Sequence, residues 1–452
     1  MIALLLCVIA FATSLWASRK SMAKGLIAVL AWGYFYGILR ANFPTAASHF
    51  IFDSSLIGFY FTHAGKLFSN TSPRLRTVKT WVIVLIAWPC FVCLLPLQNP
   101  LISLVGLRGN IFFLPMILVG VMLDTSDLLR LGKGIATMNL IALGFATAEY
   151  FFTVPRFFPR NEVTSIIYAS GDVAGYQYYR IPSTFSSAHA FAGAMVVSLP
   201  ILLGCWTIPN QTSRKRLLYL AGAFSGLLGV LMSATRVHFV IAAVLILIFV
   251  LTGNFGNKGR FAIIALLAVL GFFAANNARL GRFESLGNTE YVSERVTGSV
   301  NRTFWEVLEE YPIGNGLGGG GTSIPYFLQG LVRRPIAMEN EYGRILLELG
   351  IVGLLLWVVF IGWFIVGSNA FVQSPWRNGR RLAWACCCGY FVTGMIGLGM
   401  LTAIPQSISF LLMIGWVAAR PGVGNAGMDG CTDSRSVRAI ASIRNSHEYA
   451  LR

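Results

Sequence analysis

Three charged residues open a strongly apolar stretch late in the chain: Glu341, Arg344 and Glu348, in the string ENEYGRILLELGIVG. Their i, i+3, i+7 spacing puts them on one face of a helix that Asn340 would cap and that would run on through Trp357. An ionisable stripe at the mouth of a membrane helix is either functional or a self-neutralised Glu–Arg–Glu network that fixes packing. Glu339 stands just before the helix and outside the stripe, where a carboxylate has the chemistry of a general base towards a hydroxyl. Upstream, Gly314, Gly316 and Gly318 to Gly321 lack the lysine of a Walker loop. They mark a flexible or tight turn, of use to a lid, and not a nucleotide site.

Two arginines carry a second signal. Arg236 lies in LMSATRVHFVIAAVLILI with apolar sequence on both sides, so two helices must turn at it. Burying such a charge costs about 2.5–3.5 kcal/mol on insertion scales, which calls for a ligand or partner; the alternative is a helix-end arginine that snorkels. Arg180 precedes IPSTFSSAHAFAGAM, where Ser183, Thr184, Ser186 and Ser187 either cap the next helix or join Arg180 in an anion site at its N-terminus. His189 reads as a satisfied polar residue of that span.

Long loops surround these residues, at about 153–186 and 277–342. Every basic residue in them is arginine: Arg156, Arg160 and Arg180 in the first, Arg279, Arg282, Arg295, Arg302, Arg333 and Arg334 in the second. Loops of this length without structure are uncommon unless they function, and arginine suits bidentate recognition of phosphate or carboxylate. An anionic ligand explains the enrichment; snorkelling to headgroups or pairing with loop glutamates is the alternative.

Positioning falls to membrane helices. The 452 residues are 56% hydrophobic and 12% charged, which excludes a soluble domain and predicts an all-α polytopic membrane protein of about 12–14 transmembrane helices. Expected spans are 2–17, 25–39, 47–63, 80–97, 108–123, 134–152, 187–207, 217–235, 237–252, 261–276, 343–367, 383–402 and 407–419, with a long loop before the third-last. Asp53 and His63 interrupt 47–63, so a re-entrant or interfacial helix fits there too. Met1 to Ala17 has neither a basic leader nor a clear cleavage site and reads as a retained span. The excess of 35 Lys+Arg over 18 Asp+Glu falls in clusters spaced by out-and-back helix pairs. Under the positive-inside rule the clusters are cytoplasmic, the N-terminus and both long loops are outside, and no nucleic-acid partner is implied. The eight cysteines read as packing thiols. The basic tail 420–452 reads as a disordered cytoplasmic end.

In order along the chain, RIPSTFSSAHAFA, the Ser-x-x-Arg of SATR, the Arg-x-x-Trp and Pro-x-Gly-x-Gly of RTFWEVLEEYPIGNGLG, and ENEYGRILLELGIVG resemble the motifs of the bacterial O-antigen ligase and O-antigen polymerase superfamily. The resemblance implies a metal-independent, inverting glycosyltransferase without cofactor, in the bacterial inner membrane and active at its periplasmic face. Its donor would be an undecaprenyl-diphosphate-linked glycan, and its acceptor a glycan or lipid A-core. Arg180, Arg236 and Arg302 would bind the lipid diphosphate, Glu339 or Glu341 would take the acceptor proton, and Asn340, Arg344 and Glu348 would support the helix mouth. Ligases of this type open the last motif with His-Asn, whereas this chain has Glu339-Asn340, which points to the polymerase branch over the ligase. A lipid-linked oligosaccharide flippase is the rival of another class; it predicts helix-breaking or ionisable residues near mid-span.

Overall fold

The computed structural model describes residues 1–69, 73–169, 178–253, 289–320, 324–336, 338, 340–397 and 399–419, and the isolated positions 271 and 283. Residues 1–419 form one compact unit, and 420–452 lie outside the described residues. Fifteen described α-helices follow in order: α1 (Ile2–Lys20), α2 (Met22–Asn42), α3 (Ile51–Ser69), α4 (Pro73–Cys93), α5 (Pro100–Ile111), α6 (Met116–Met122), α7 (Thr125–Phe152), α8 (Ser165–Ala169), α9 (Ala188–Thr207), α10 (Ser213–Met232), α11 (Arg236–Thr252), α12 (Thr289–Glu310), α13 (Glu341–Gly367), α14 (Arg377–Thr393) and α15 (Gln406–Ala418). The protein is an all-α polytopic membrane protein. Among the described residues, eight apolar stretches are long enough to cross a membrane, α5 and α6 counting together, and α11 and α15 are shorter apolar helices.

The core helix is α9, buried without a break from Ala190 to Cys205. Packing around it is close because small residues let backbones approach. At the α6–α15 crossing a Cβ on Gly120 would lie 2.1 Å from the Leu412 carbonyl oxygen, and one on Gly415 would lie 1.8 Å from that of Ile117.

Several expected boundaries move. The 108–123 span begins at Pro100, N-capped by Asn99, and breaks between α5 and α6 over 112–115, where Pro115 has no N–H to continue the ladder. The 47–63 stretch becomes a 3-10 turn, Ala46–Phe50, and then α3, which runs on to Ser69. The 383–402 span ends at Thr393, and 394–397 and 399–405 are irregular, with Gly399 at φ 105°. The loop 277–342 contains a 22-residue amphipathic helix, α12, whose Val307, Phe304 and Leu308 pack on Leu346 and Leu347 of α13. The expected span 261–276 lies outside the described residues.

Following the helices back and forth sorts the connections. Asn42, the 94–99 turn, the turn before Arg236 and the described residues of 153–187, 311–340 and 394–405 gather at one end. Asn42 Nδ2 donates to the Phe157 carbonyl at 3.1 Å, and Gln98 Nε2 to that of Asn315 at 2.8 Å. The Lys and Arg clusters at 19–24, 66–79, 130–133, 214–216 and 377–381 fall at the other end, where Trp376 Nε1 donates to Thr125 Oγ1 at 3.1 Å.

Candidate functional site

Asn340 caps α13 as its sequence predicts, its Oδ1 accepting from the Gly343 N–H. The first half of the helix, 341–350, is buried throughout. Glu341, Arg344 and Glu348 share one face and are fully shielded from solvent. Arg344 Nε and Nη2 donate to Glu341 Oε1 at 3.0 and 2.7 Å, and Arg344 Nη1 donates to Glu348 Oε2 at 2.8 Å. The network reaches beyond the helix: Asn110 Nδ2 of α5 donates to Glu348 Oε2 at 2.7 Å, and the Gly399 N–H donates to Glu341 Oε2 at 2.9 Å. Both oxygens of Glu341 are engaged and it has no open side, so the geometry makes it a brace of the helix mouth. Two carboxylates share one guanidinium, and Glu348 Oε1 has no hydrogen-bond partner among the described residues.

The helix does not run straight to Trp357. Gly350 has φ 68° and ψ −176°, and α13 breaks there. The freed backbone groups are taken up locally, as they must be inside a bilayer. Asn315 N–H donates to the Leu347 carbonyl at 2.6 Å, Ile351 N–H to that of Pro312 at 3.0 Å, and Trp88 Nε1 to that of Leu349 at 2.9 Å. The 311–320 turn therefore docks into the break. Gly320 lies over Arg344 and Glu348, and Gly318 meets α5 backbone to backbone at Gly106, where a Cβ would lie 2.4 Å from the Gly318 nitrogen. Gln98 fastens the loop, accepting from the Arg333 N–H at 2.8 Å and donating to its carbonyl at 2.9 Å. The glycines thus build a fixed seat.

The second cluster lies around α9 and α11. Arg180 Nη1 is 3.3 Å from His189 Nε2, the His189 ring is 5.9 Å from that of His238, and Arg236 is the first residue of the same α11. The segments of Arg180 and Arg236 therefore meet at a histidine pair. The serines have other work. Ser187 caps α9, accepting from the Ala190 N–H at 3.1 Å, while Ser183 Oγ donates to the Ala142 carbonyl at 2.7 Å and Thr184 Oγ1 to that of Tyr34 at 2.6 Å. Ser183 sits at φ 54° with its N–H on Glu149 Oε2 at 2.8 Å. This buried turn carries Arg180 to the cluster, and the Ser183 and Thr184 hydroxyls are spent on packing.

The turn after α14 connects the two clusters. The Tyr390 ring is 6.0 Å from that of His238, and one helical turn on, the Gly394 carbonyl accepts the Glu341 N–H at 2.9 Å. Gly399 holds Glu341, and Gln406, opening α15, lies so close to Gly193 beside His238 that a Cβ there would be 1.6 Å from its Oε1. Of the residues singled out from sequence, Glu341, Arg344, Glu348 and Asn340 come together, and Arg180 meets the Arg236 helix. Glu339 and the Arg302 side chain lie outside the described residues. Sequence reasoning missed Asn110, Gln98, Glu149, His238 and Gln406. Each is a lone polar residue in an apolar span or short turn, a signal that names no partner. Among the described residues no three His, Cys, Asp or Glu side chains group as metal ligands. In comparisons with known proteins, no family model and no curated protein matches the chain.

Proposed function

We propose that this chain is a membrane glycosyltransferase that moves a glycan from an undecaprenyl-diphosphate donor to an acceptor sugar hydroxyl, as a polysaccharide or O-antigen polymerase. The observation that carries the reading is the 390–406 segment, which joins the Arg180–His189–His238 cluster to the mouth of α13. In this reading Arg180 and Arg236, with Arg302, hold the diphosphate and stabilise the charge it gains as leaving group. The acceptor oxygen attacks the anomeric carbon from the opposite face, the bond to the diphosphate oxygen breaks, and Glu339 takes the hydroxyl proton; the anomeric configuration inverts and no metal is required. In this reading Glu341, held by Arg344 and the Gly399 N–H, braces the helix, and Glu339 is the base. The reaction belongs on the periplasmic face of a bacterial inner membrane, with the basic end in the cytoplasm. Ligation to lipid A-core uses the same chemistry on another acceptor.

The test is purified protein with a lipid-linked donor and acceptor. Product is expected from the parent and not from Glu339→Gln or Arg236→Glu; parental product from Glu339→Gln removes it as base. The deletion phenotype separates the branches: a single repeat on lipid A-core means a polymerase was lost, and bare core with accumulated lipid-linked polymer means a ligase. The break at Gly350 favours a second reading, a lipid-linked oligosaccharide flippase, since discontinuous helices line transporter sites. Product formed without a gradient eliminates it.

A further inference from the structure

A second basic cluster lies on the far side of α5 from the Arg344 network. Arg108 grips Asp53 of α3 through Nε at 2.8 Å and Nη2 at 2.5 Å, and keeps 29% of its side chain exposed. Arg40, near the end of α2, has its guanidinium 5.8 Å from the Tyr36 ring, and Tyr36 donates its hydroxyl proton to the His49 carbonyl at 3.3 Å. His49 is 92% buried, and neither its Nε2 nor Arg40 Nε has a hydrogen-bond partner among the described residues. Burial, then the charges of Arg40 and Arg108, push His49 down to about 3, so it is neutral at pH 7. Two arginines against one aspartate leave one net positive charge.

The surroundings of this charge identify its ligand. On α3 the apolar Ile57 and Phe61 follow Asp53 at i+4 and i+8 and are exposed, so the cations border a lipid-facing stripe and not the interior. On the other side Phe327, from the loop that leads to α13, stands edge-on to the His49 ring at 5.4 Å and keeps 41% of its surface exposed. Hydrocarbon, phosphate and sugar would each meet its complement in that order: an apolar stripe, cationic donors and an open aromatic face.

We propose that Arg40, His49 and Arg108 bind the phosphate head of a lipid-linked sugar, its chain along Ile57 and Phe61 and its first sugar against Phe327. As the acceptor site of the proposed transfer the assignment rests on that reading; as a binding site it does not. Native mass spectrometry of the full-length protein with a polyprenyl diphosphate carrying one N-acetylhexosamine should show two bound molecules. Arg40→Gln/His49→Gln should hold one, the second weakened at least about tenfold, and Arg236→Gln should keep the one at Arg40. Phe327→Ala, a change at an exposed side chain, should weaken the glycosylated lipid and spare the sugar-free one. One molecule on the parent, two on the double variant at parental affinity, or loss confined to phosphatidylglycerol overturns the proposal. Transfer is scored separately: a parent that transfers nothing yet loses one molecule in the double variant refutes the transferase reading alone.

Discussion

At the scale of single residues, the fully buried Arg344 holds two carboxylates at once, so it cannot be removed quietly. Arg344→Met leaves Glu341 and Glu348 uncompensated and should cost about 3–5 kcal/mol, read as a lowered melting temperature in detergent. Glu348→Gln keeps an acceptor for Arg344 and should melt within about 1 kcal/mol of the parent. His49 carries a pH dependence. Its folded value of about 3 lies below the ordinary 6.5, so its neutral ring contributes in full above pH 6.5. That contribution is lost as pH falls from there towards 3, because the unfolded chain takes up a proton that the folded one refuses. The melting temperature of the parent should therefore fall faster with acid than that of His49→Gln; parallel curves would refute it. The Glu–Arg–Glu stripe was legible because a helix repeats locally. Its partners Asn110 and Gly399 were not, because nothing in the spacing of one helix reports what another brings to it.

At the scale of elements, the broken helix α13 matters most. A Cβ on Gly350 would lie 2.5 Å from the Ile313 carbonyl oxygen, at a φ that disfavours side chains. Gly350→Ala should expel the 311–320 turn and destabilise the fold by at least about 1–3 kcal/mol, with faster proteolysis of that loop as its signature. Trp88→Phe keeps the bulk but strands the Leu349 carbonyl, and should cost about 1–3 kcal/mol in the same melting assay. The sequence reading ran this helix unbroken because glycine is common in membrane helices and an apolar run conceals a change in φ. It also left α12 as loop, since hydropathy responds to total apolar content while α12 is apolar on one face only. The break at Pro115 carried a visible breaker, yet a hydropathy window averages across it.

At the scale of the whole molecule, the alternation of basic clusters and apolar runs was enough to give the class of fold, because every span must satisfy its own backbone. The arrangement predicts opposite exposures at its two ends. In whole cells, Phe327→Cys should react with a membrane-impermeant maleimide, and Lys215→Cys only after permeabilisation; the reverse pattern would overturn the assigned sidedness. The gathering of distant segments around α9 was beyond the sequence, since α7, α10, α11, α14 and α15 pack on it without any shared period.

The glycine contact between α6 and α15 bears on how the protein is made. During synthesis α6 enters the membrane long before α15 exists, yet its Gly120 is shaped to lie against the Leu412 backbone, and α15 also brings Gln406 to Gly193. Until the last described helix arrives, α9 has an open flank and the region around His238 is unfinished. The nascent chain must wait, half-assembled, for its end, so truncation before Gln406 should trap it in that state and expose it to membrane proteases.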